Sequence, residues 1–524
     1  MSAYRDGGNA IDAAIAAAAV LTVVYPHNVA LGGDLIALVR TPDGEVRCVN
    51  ASGWAGAAVD VVGLRARHGR WLPARGADSV TVPGGIRGWE ALRRFGARLK
   101  WAQTLRAAES TARHGAPVSP SLVSHIADPE NADLFGTEDF DRVFRPAGRS
   151  LRVGDDFAQP ALADTFAALR DEGPNAFYDG ALAERSIGYL RSRGSSLTAE
   201  DFGEFQSETA EPISVDFRGL RVLTSPPNTH GFLLLRALRA IDALGITDPL
   251  GDGLGMLLRV FHRGNALRAS YLADPRFAGV DVAVLVNDGL DEMAELGVGQ
   301  PGPALVPHGD TVGVAAADGD GYAVSLIQSV YHAFGSGLID PATGVLFHNR
   351  GTGFSLDDAS PNVIAPRKRP AHTLMPVMTT HQGAPRHVLA TMGGQGQPQI
   401  LAQLLLRAVG GAGVESAVAA PRAIVGLQVQ GGTADSVTVE SDIRAAASAS
   451  IGRAGLVSTD VAAHTETLGQ ANVVFADING SMMAASDPRS DGAAVVAHYP
   501  RFLTSSRPST GAAKRSGGQT KLGI

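Results

Sequence analysis

The sequence predicts an α+β protein in which apolar strands are covered by helices. Three observations predict it. Apolar residues recur at strand spacing or continuously over 34–39, 311–317, 322–330 and 386–392. Apolar runs over 8–24 and 400–409 are rich in Ala and Leu and read as buried helices. Asp318-Gly319-Asp320-Gly321 joins two of the strand runs by a tight turn, because glycine accepts a positive φ and aspartate tolerates it.

Composition narrows the class. Over 524 residues the hydrophobic content is 45% and the mean hydropathy +0.05, as in a soluble globular protein with a sizeable core. A net charge of −7 gives no basic footprint for nucleic acid. Cys48 is the only cysteine, so no intrachain disulfide forms, which fits a reducing compartment. No apolar run reaches the roughly 20 residues of a membrane span. Residues 8–24 lack the basic leader and cleavage site of a signal peptide, and a cytoplasmic location is expected. There is no P-loop, no GxSxG elbow and no HExxH or Cys/His metal pattern. Gly251-Asp252-Gly253-Leu254-Gly255 lacks the spacing of a dinucleotide fingerprint, so neither a cofactor nor a metal is expected.

Taken in order, Asn9 stands at the start of the first helix, where a side-chain cap is expected. Residues 29–39, VALGGDLIALV, are a Gly-Gly turn running into a strand. Trp54, in VNASGWAGAAV, either lines a pocket or is plain core. Val82-Pro83-Gly84-Gly85 is a turn opening a helix that carries Trp89, and 90–200 read as mainly helical. Thr198 or Ser196 is placed to cap the helix containing Asp201. Ser225 to Gly231 form a rigid loop whose His230 is expected to be solvated rather than catalytic. A helix follows over 257–276. Gly and Pro cluster between 299 and 309, so 278–310 reads as a flexible linker. Residues 504–524 carry almost no apolar side chain and read as a disordered tail.

Thr311 sits where the linker meets a strand. A chain cut before it would carry a hydroxyl nucleophile and a free α-amine on one residue. That amine, with an unperturbed pKa of about 7.7–8.0, can act as base for the adjacent hydroxyl. The other reading is an ordinary strand threonine, since Thr favours strands.

The run from Asp310 to Phe354 resembles the start of the small subunit in the γ-glutamyltransferase (γ-glutamyltranspeptidase) family of N-terminal-nucleophile hydrolases. The likeness rests on Thr311, Asp318 seven residues on, Ser329, Gly335-Ser336-Gly337, Asn349 and Phe354. IQSVYHAFGSG and HNRGTGFSL are most similar to the oxamate amidohydrolase-like branch. GGNAIDAA at 7–14, FYDG at 177–180, MGGQGQPQ at 392–399, Pro421-Arg422 and Asp487 to Gly492 extend the resemblance over nearly the whole chain. Only six residues precede Gly7, fewer than in relatives, so the start is expected to be incomplete.

The resemblance implies a four-layer αββα sandwich and self-cleavage between Asp310 and Thr311. The fragments would be 1–310 and 311–503, with the tail beyond, and would stay associated; a homodimer is one assembly open to it. Thr311 would be the nucleophile, Ser329 its orienting hydroxyl, and the amides of Gly393 and Gly394 an oxyanion hole. Trp54, Tyr331, Arg350, His372 and Thr373 fall at substrate-binding positions. Three departures bear on the substrate. The transpeptidases' carboxylate-binding Arg has no counterpart in 50–56, and Arg350 and Gly353 replace the Gln and Asp that grip a glutamyl amine. Gln395 stands where Asp is expected. Arginine presents a planar fork suited to a carboxylate, so a small carboxylate-bearing amide such as oxamate is the expected substrate. The alternatives are a γ-glutamyl hydrolase or transferase, a C–C bond hydrolase of an antibiotic pathway, and an unprocessed non-catalytic homologue. For Arg350 the other reading is a structural ion pair.

Overall fold

A computed structural model describes residues 1–146, 148–290, 310–428, 432–477 and 479–497. Six strands and three helices carry most of the argument for layering. In chain order they are α1 (Ala10–Val24), β1 (Asp34–Arg40), β2 (Val46–Ala51), α2 (Phe232–Ala243), β3 (Asp310–Ala317), β4 (Ala323–Tyr331), β5 (Val377–His381), β6 (Ala384–Met392) and α3 (Gln397–Val409).

The first sheet has five antiparallel strands, in the order Glu208–Ala210, β2, β1, β4, β3. The second has six, in the order Met482–Ser486, Gln470–Ala476, β6, β5, Leu220–Thr224, Ile213–Phe217. Strand alternation sorts the side chains into layers. Ile36, Leu38 and Ile327 of the first sheet meet Met378, Val388 and Ala390 of the second. Leu35, Ala37 and Val39 point the other way, onto Ile11, Ile15 and Ala18 of α1. Val377 and Leu389 turn outward onto Leu234 of α2 and Leu404 of α3. Helix, sheet, sheet and helix are therefore stacked as the expected four-layer αββα sandwich.

Local chemistry sets the ends. Asn9 Oδ1 accepts from the amides of Ile11 and Asp12, while Asp12 Oδ2 accepts from Asn9 N. The hairpin turn is tied to the same helix end. Asp318 Oδ1 accepts from Asp320 N and Tyr322 N, and its Oδ2 from Ala10 N at 2.8 Å. Thr198 caps Ala199–Gly203 through the amide of Asp201. Near the end of the described chain, Arg422, Asp487, Arg489 and Glu440 form a buried network in which each charge has a partner.

Several expectations shift in detail. The long helix of the large fragment runs over Leu254–Tyr271 and stops short of Asp274. The linker begins with a helical turn, Val282–Asn287. Its Gly/Pro-rich part and the tail over 504–524 lie outside the described residues. Among the described residues, no helix is long and apolar enough to cross a membrane.

Candidate active site

Thr311 lies one residue into β3, where the pairing with β4 is irregular. Asp310 pairs with Tyr331, but Val312 pairs with Gln328. The bulge sets Thr311 beside Ser329. Thr311 Oγ1 donates to Ser329 Oγ at 3.0 Å, and Tyr331 N donates to the same oxygen at 2.7 Å. Both hydroxyls are buried. Two residues on, Gly313 packs against the second sheet. A Cβ there would lie 2.8 Å from the carbonyl carbon of Ala390 and from Thr391 N. This close approach seats the start of β3 over the end of β6, and β6 runs into Gly393 and Gly394.

Gly393 (φ 143°) and Gly394 (φ 49°) both adopt conformations that disfavour side chains, and a Cβ on Gly393 would meet Ile400 Cδ1 at 2.3 Å. Their amides donate to no group among the described residues. Gln395 follows. Its side-chain and backbone oxygens accept from Arg268 of the Leu254–Tyr271 helix, at 2.5 and 3.3 Å. An amide oxygen thus receives the guanidinium at the position where a carboxylate was expected.

Tyr331 closes β4 with φ 83°, a sparsely populated value for a bulky residue. The Arg350 guanidinium lies over its ring, 3.8 Å from the centroid. Arg350 Nη1 donates to Thr373 Oγ1 at 3.1 Å. Nε and Nη2 have no hydrogen-bond partner, although Arg350 is 0% exposed. Burial pushes its pKa down to about 10, which leaves it charged at neutral pH. The residue sits on a short 3-10 turn, Arg350–Gly353. The turn needs its glycines, since a Cβ on Gly351 would lie 2.6 Å from Ser79 O, and one on Gly353 2.8 Å from Ala371 O. No carboxylate pairs with Arg350 among the described residues, so the ion-pair reading lacks a partner within salt-bridge distance.

Beneath Arg350 is a carboxylate that sequence reading did not single out. Asp34 is fully buried. Its Oδ1 accepts from Gly53 N and Gly84 N, each at 3.1 Å. His372 Nε2 donates to its Oδ2 at 3.3 Å, and His348 Nδ1 is 3.5 Å from the same oxygen. Burial alone would raise the Asp34 carboxyl, but His348, His372 and Arg350 outweigh it and hold the carboxyl below its usual range. His372 Nδ1 accepts from Leu374 N, so both ring nitrogens are engaged. Burial, then Arg350, bring its pKa down to about 3. His372, expected at a substrate-binding position, thus has both ring nitrogens engaged by Asp34 and the Leu374 amide. Trp54 is also engaged. Its Nε1 donates to Asp201 O, and its ring packs edge-on against Phe205.

His230 was expected to be a solvated loop residue. It is 0% exposed, because its loop is bridged to the segment carrying His372: His230 N donates to His372 O, and His372 N to Asn228 O. Burial, with Arg268, His372 and Arg350 adding to it, drives the ring pKa well below 6.5.

The family described as Gamma-glutamyltranspeptidase matches residues 1–497. The chain belongs to the γ-glutamyltranspeptidase family. It is 34% identical to the glutathione hydrolase-like YwrD proenzyme of Bacillus subtilis, over 93% of this chain and 94% of that protein. It is likewise 34% identical to the oxamate amidohydrolase proenzyme of Klebsiella pneumoniae, over 94% and 95%. A cephalosporin acylase from Bacillus halodurans superposes with a TM-score of 0.83 at 31% identity, covering 95% of this chain and 94% of that one. The protein is accordingly an enzyme, a hydrolase of this family.

Hydrogen bonds and a ring contact link Thr311, Ser329, Tyr331, Arg350 and Thr373, and Gly393-Gly394 follow β6, whose end packs against β3 at Gly313. Asp34, His348, His230 and Arg268 are the additions. The signal for Asp34 was a lone charge inside an apolar strand run. For His348 it was the histidine that opens the HNRGTGFSL run. The Ser225–Gly231 loop had drawn notice to His230, though as a solvated side chain, and nothing local marked Arg268.

Proposed function

We propose that the chain is a self-processing amidohydrolase whose nucleophile is Thr311 and whose substrate is a small amide with a carboxylate beside the scissile carbonyl, of which oxamate is the simplest. One observation carries the substrate class. A fully buried Arg350 carries two N–H groups without a partner among the described residues, and its guanidinium lies over Tyr331, whose amide bonds the Ser329 hydroxyl that pairs with Thr311. An unsatisfied buried charge is costly, and a carboxylate accepts from both N–H groups at once. The relatives named for glutathione hydrolysis and for oxamate hydrolysis are equally similar in identity, so Arg350 makes the choice. The 50–56 segment also lacks an arginine for a glutamyl carboxylate.

In processing, Thr311 Oγ1 attacks the Asp310 carbonyl. The peptide C–N bond breaks, an ester forms, and water hydrolyses it to give the Asp310 carboxylate and a free Thr311 amine. β1 pairs with β4 across the two fragments, from Asp34↔Ser329 to Arg40↔Ala323, which would keep them associated. In turnover the α-amine takes the Thr311 hydroxyl proton as Oγ1 attacks the substrate carbonyl. The Gly393 and Gly394 amides receive the oxyanion. The proton passes to the leaving nitrogen, ammonia departs, and water hydrolyses the oxalyl ester to free oxalate. Ser329 Oγ, which accepts from Thr311 Oγ1 in the uncut chain, would donate to it once the Thr311 proton is directed to the amine, and so orient it. Thr373 and Tyr331 fix the guanidinium.

The test is a side-by-side assay of processed protein on oxamate and on γ-glutamyl-p-nitroanilide. Oxalate and ammonia released from oxamate is the expected result. Rapid γ-glutamyl turnover without oxamate hydrolysis would overturn the substrate class.

A further inference from the structure

His230 is fully buried, and among the described residues neither ring nitrogen has a hydrogen-bond partner within normal distance and angle, the Thr373 backbone being the polar group that comes nearest to bonding the ring. Leaving a buried donor or acceptor unpaired is destabilising, and buried polar groups in native proteins are overwhelmingly paired. Two further residues with such atoms touch the same stretch of chain. Arg350, with its unpaired Nε and Nη2, bonds Thr373. The His230 backbone bonds His372. Gln397 accepts from Met375 N at 3.2 Å and leaves its Nε2 unpaired. Three fully buried side chains with unmet hydrogen bonds are thus anchored on residues 372–375.

The chemistry of these groups is unequal. Arg350 and the Gln397 amide nitrogen only donate, as do the backbone amides of Gly393 and Gly394. An oxamate-type amide facing them finds partners for its carboxylate and its carbonyl oxygen, but its N–H groups need an acceptor. A neutral imidazole carries one donor and one acceptor nitrogen. The cations Arg268 and Arg350 close to the ring oppose its protonation, which preserves the acceptor lone pair.

Resting on the amidohydrolase reading above, we propose that His230 is a second recognition residue, whose imidazole accepts a hydrogen bond from the N–H of the substrate's scissile amide while Arg350 holds the carboxylate. The site would then select primary and secondary amides over isosteric esters. Selectivity would come from a residue of the large fragment acting beside a nucleophile of the small one.

The experiment compares oxamate with the monomethyl ester of oxalic acid, which keeps the carboxylate and carbonyl but has no N–H. His230→Leu and His230→Phe remove the acceptor, and His230→Gln retains one. All are assayed as processed protein, with processing read from the two bands on a gel. The two apolar variants should lose about 10- to 150-fold in kcat/KM on oxamate and less than about 3-fold on the ester. The glutamine variant should recover most of the loss. Equal losses on both compounds, or none on oxamate, would overturn the role of His230 and leave the amidohydrolase reading standing. Wild-type protein that hydrolyses neither compound would overturn that reading and this inference with it. Two substitutions that differ in shape keep the test open if one of them fails to process.

Discussion

The nucleophile end and the recognition floor of this site are built on opposite plans. At the nucleophile end, Thr311, Ser329 and the Tyr331 amide belong to one hairpin and satisfy one another. At the floor, Asp34, His230, Arg350 and His372 come from four distant segments, and Arg350 and His230 are buried with polar atoms unmet. A hydroxyl that must attack needs a fixed direction, and a short paired network supplies it. A surface that must bind an anion needs hydrogen-bonding capacity left over, and that is tolerable only where surrounding structure holds it open. On the proposed function, the first region would serve any substrate and the second would choose among them.

The sharpest break is Thr311→Ala. Protein of this variant should remain a single chain on a gel, and activity should fall by at least about 10⁴-fold, as for loss of other hydroxyl nucleophiles. N-terminal sequencing of the wild type should read from Thr311 and give fragments of 310 and 214 residues. Cleavage of the Ala variant at this bond would exclude self-attack.

Arg350→Gln addresses the other region alone. Removing a buried charged partner costs about 2–5 kcal/mol, so kcat/KM for oxamate-type acids should fall by roughly 30- to several-thousand-fold. Processing should continue, because it involves no small-molecule carboxylate. A variant that fails to process would erase the functional division between the two regions.

Ser329→Ala should affect both reactions, since both use the Thr311 hydroxyl. A decrease of about 10- to 100-fold in processing rate and in kcat is expected for the loss of one orienting hydrogen bond. A time course of cleavage after translation, with steady-state kinetics on the product, checks it. An effect on only one of the two reactions would count against a shared geometry.

The smallest effect is on stability, and it belongs to the floor. The folded His372 ring takes its proton only at about pH 3, against 6.5 when free of burial. Between these values the unfolded chain binds more protons, so stability is fully present above about pH 6.5 and falls as pH drops. From pH 7 to 5 this one residue removes about 2 kcal/mol. Denaturant titrations at both pH values should show a smaller loss in His372→Asn, and an equal loss in both proteins would rule out this ring as a source.

The hairpin was legible because its rules are local. Strand alternation, the Asp-Gly turn and the 18-residue step from Thr311 to Ser329 lie within one supersecondary unit. The Asn9 cap and the Thr198 cap were legible for the same reason. The hydrogen bonds of Trp54 and His372 were not legible, because a residue's position beside glycines or in a pocket-like motif does not say which neighbours engage its polar atoms. His230 reads as a loop residue in sequence, and only the bridge between its loop and the His372 segment takes it out of water.

By itself, then, the sequence determined the α+β layering, the family, and the pairing of Thr311 with Ser329 across one hairpin that the proposed nucleophile rests on. These depend on spacing within a turn, a helix end or a hairpin. Tertiary structure alone decided that Arg350 has no ion-pair partner among the described residues, that Asp34 is held between two glycine amides and two imidazoles, and that His230 faces cations rather than solvent. Such facts depend on which distant segments share a dry interior, and burial there changes both the charge state of a side chain and the number of its hydrogen bonds that remain to be filled.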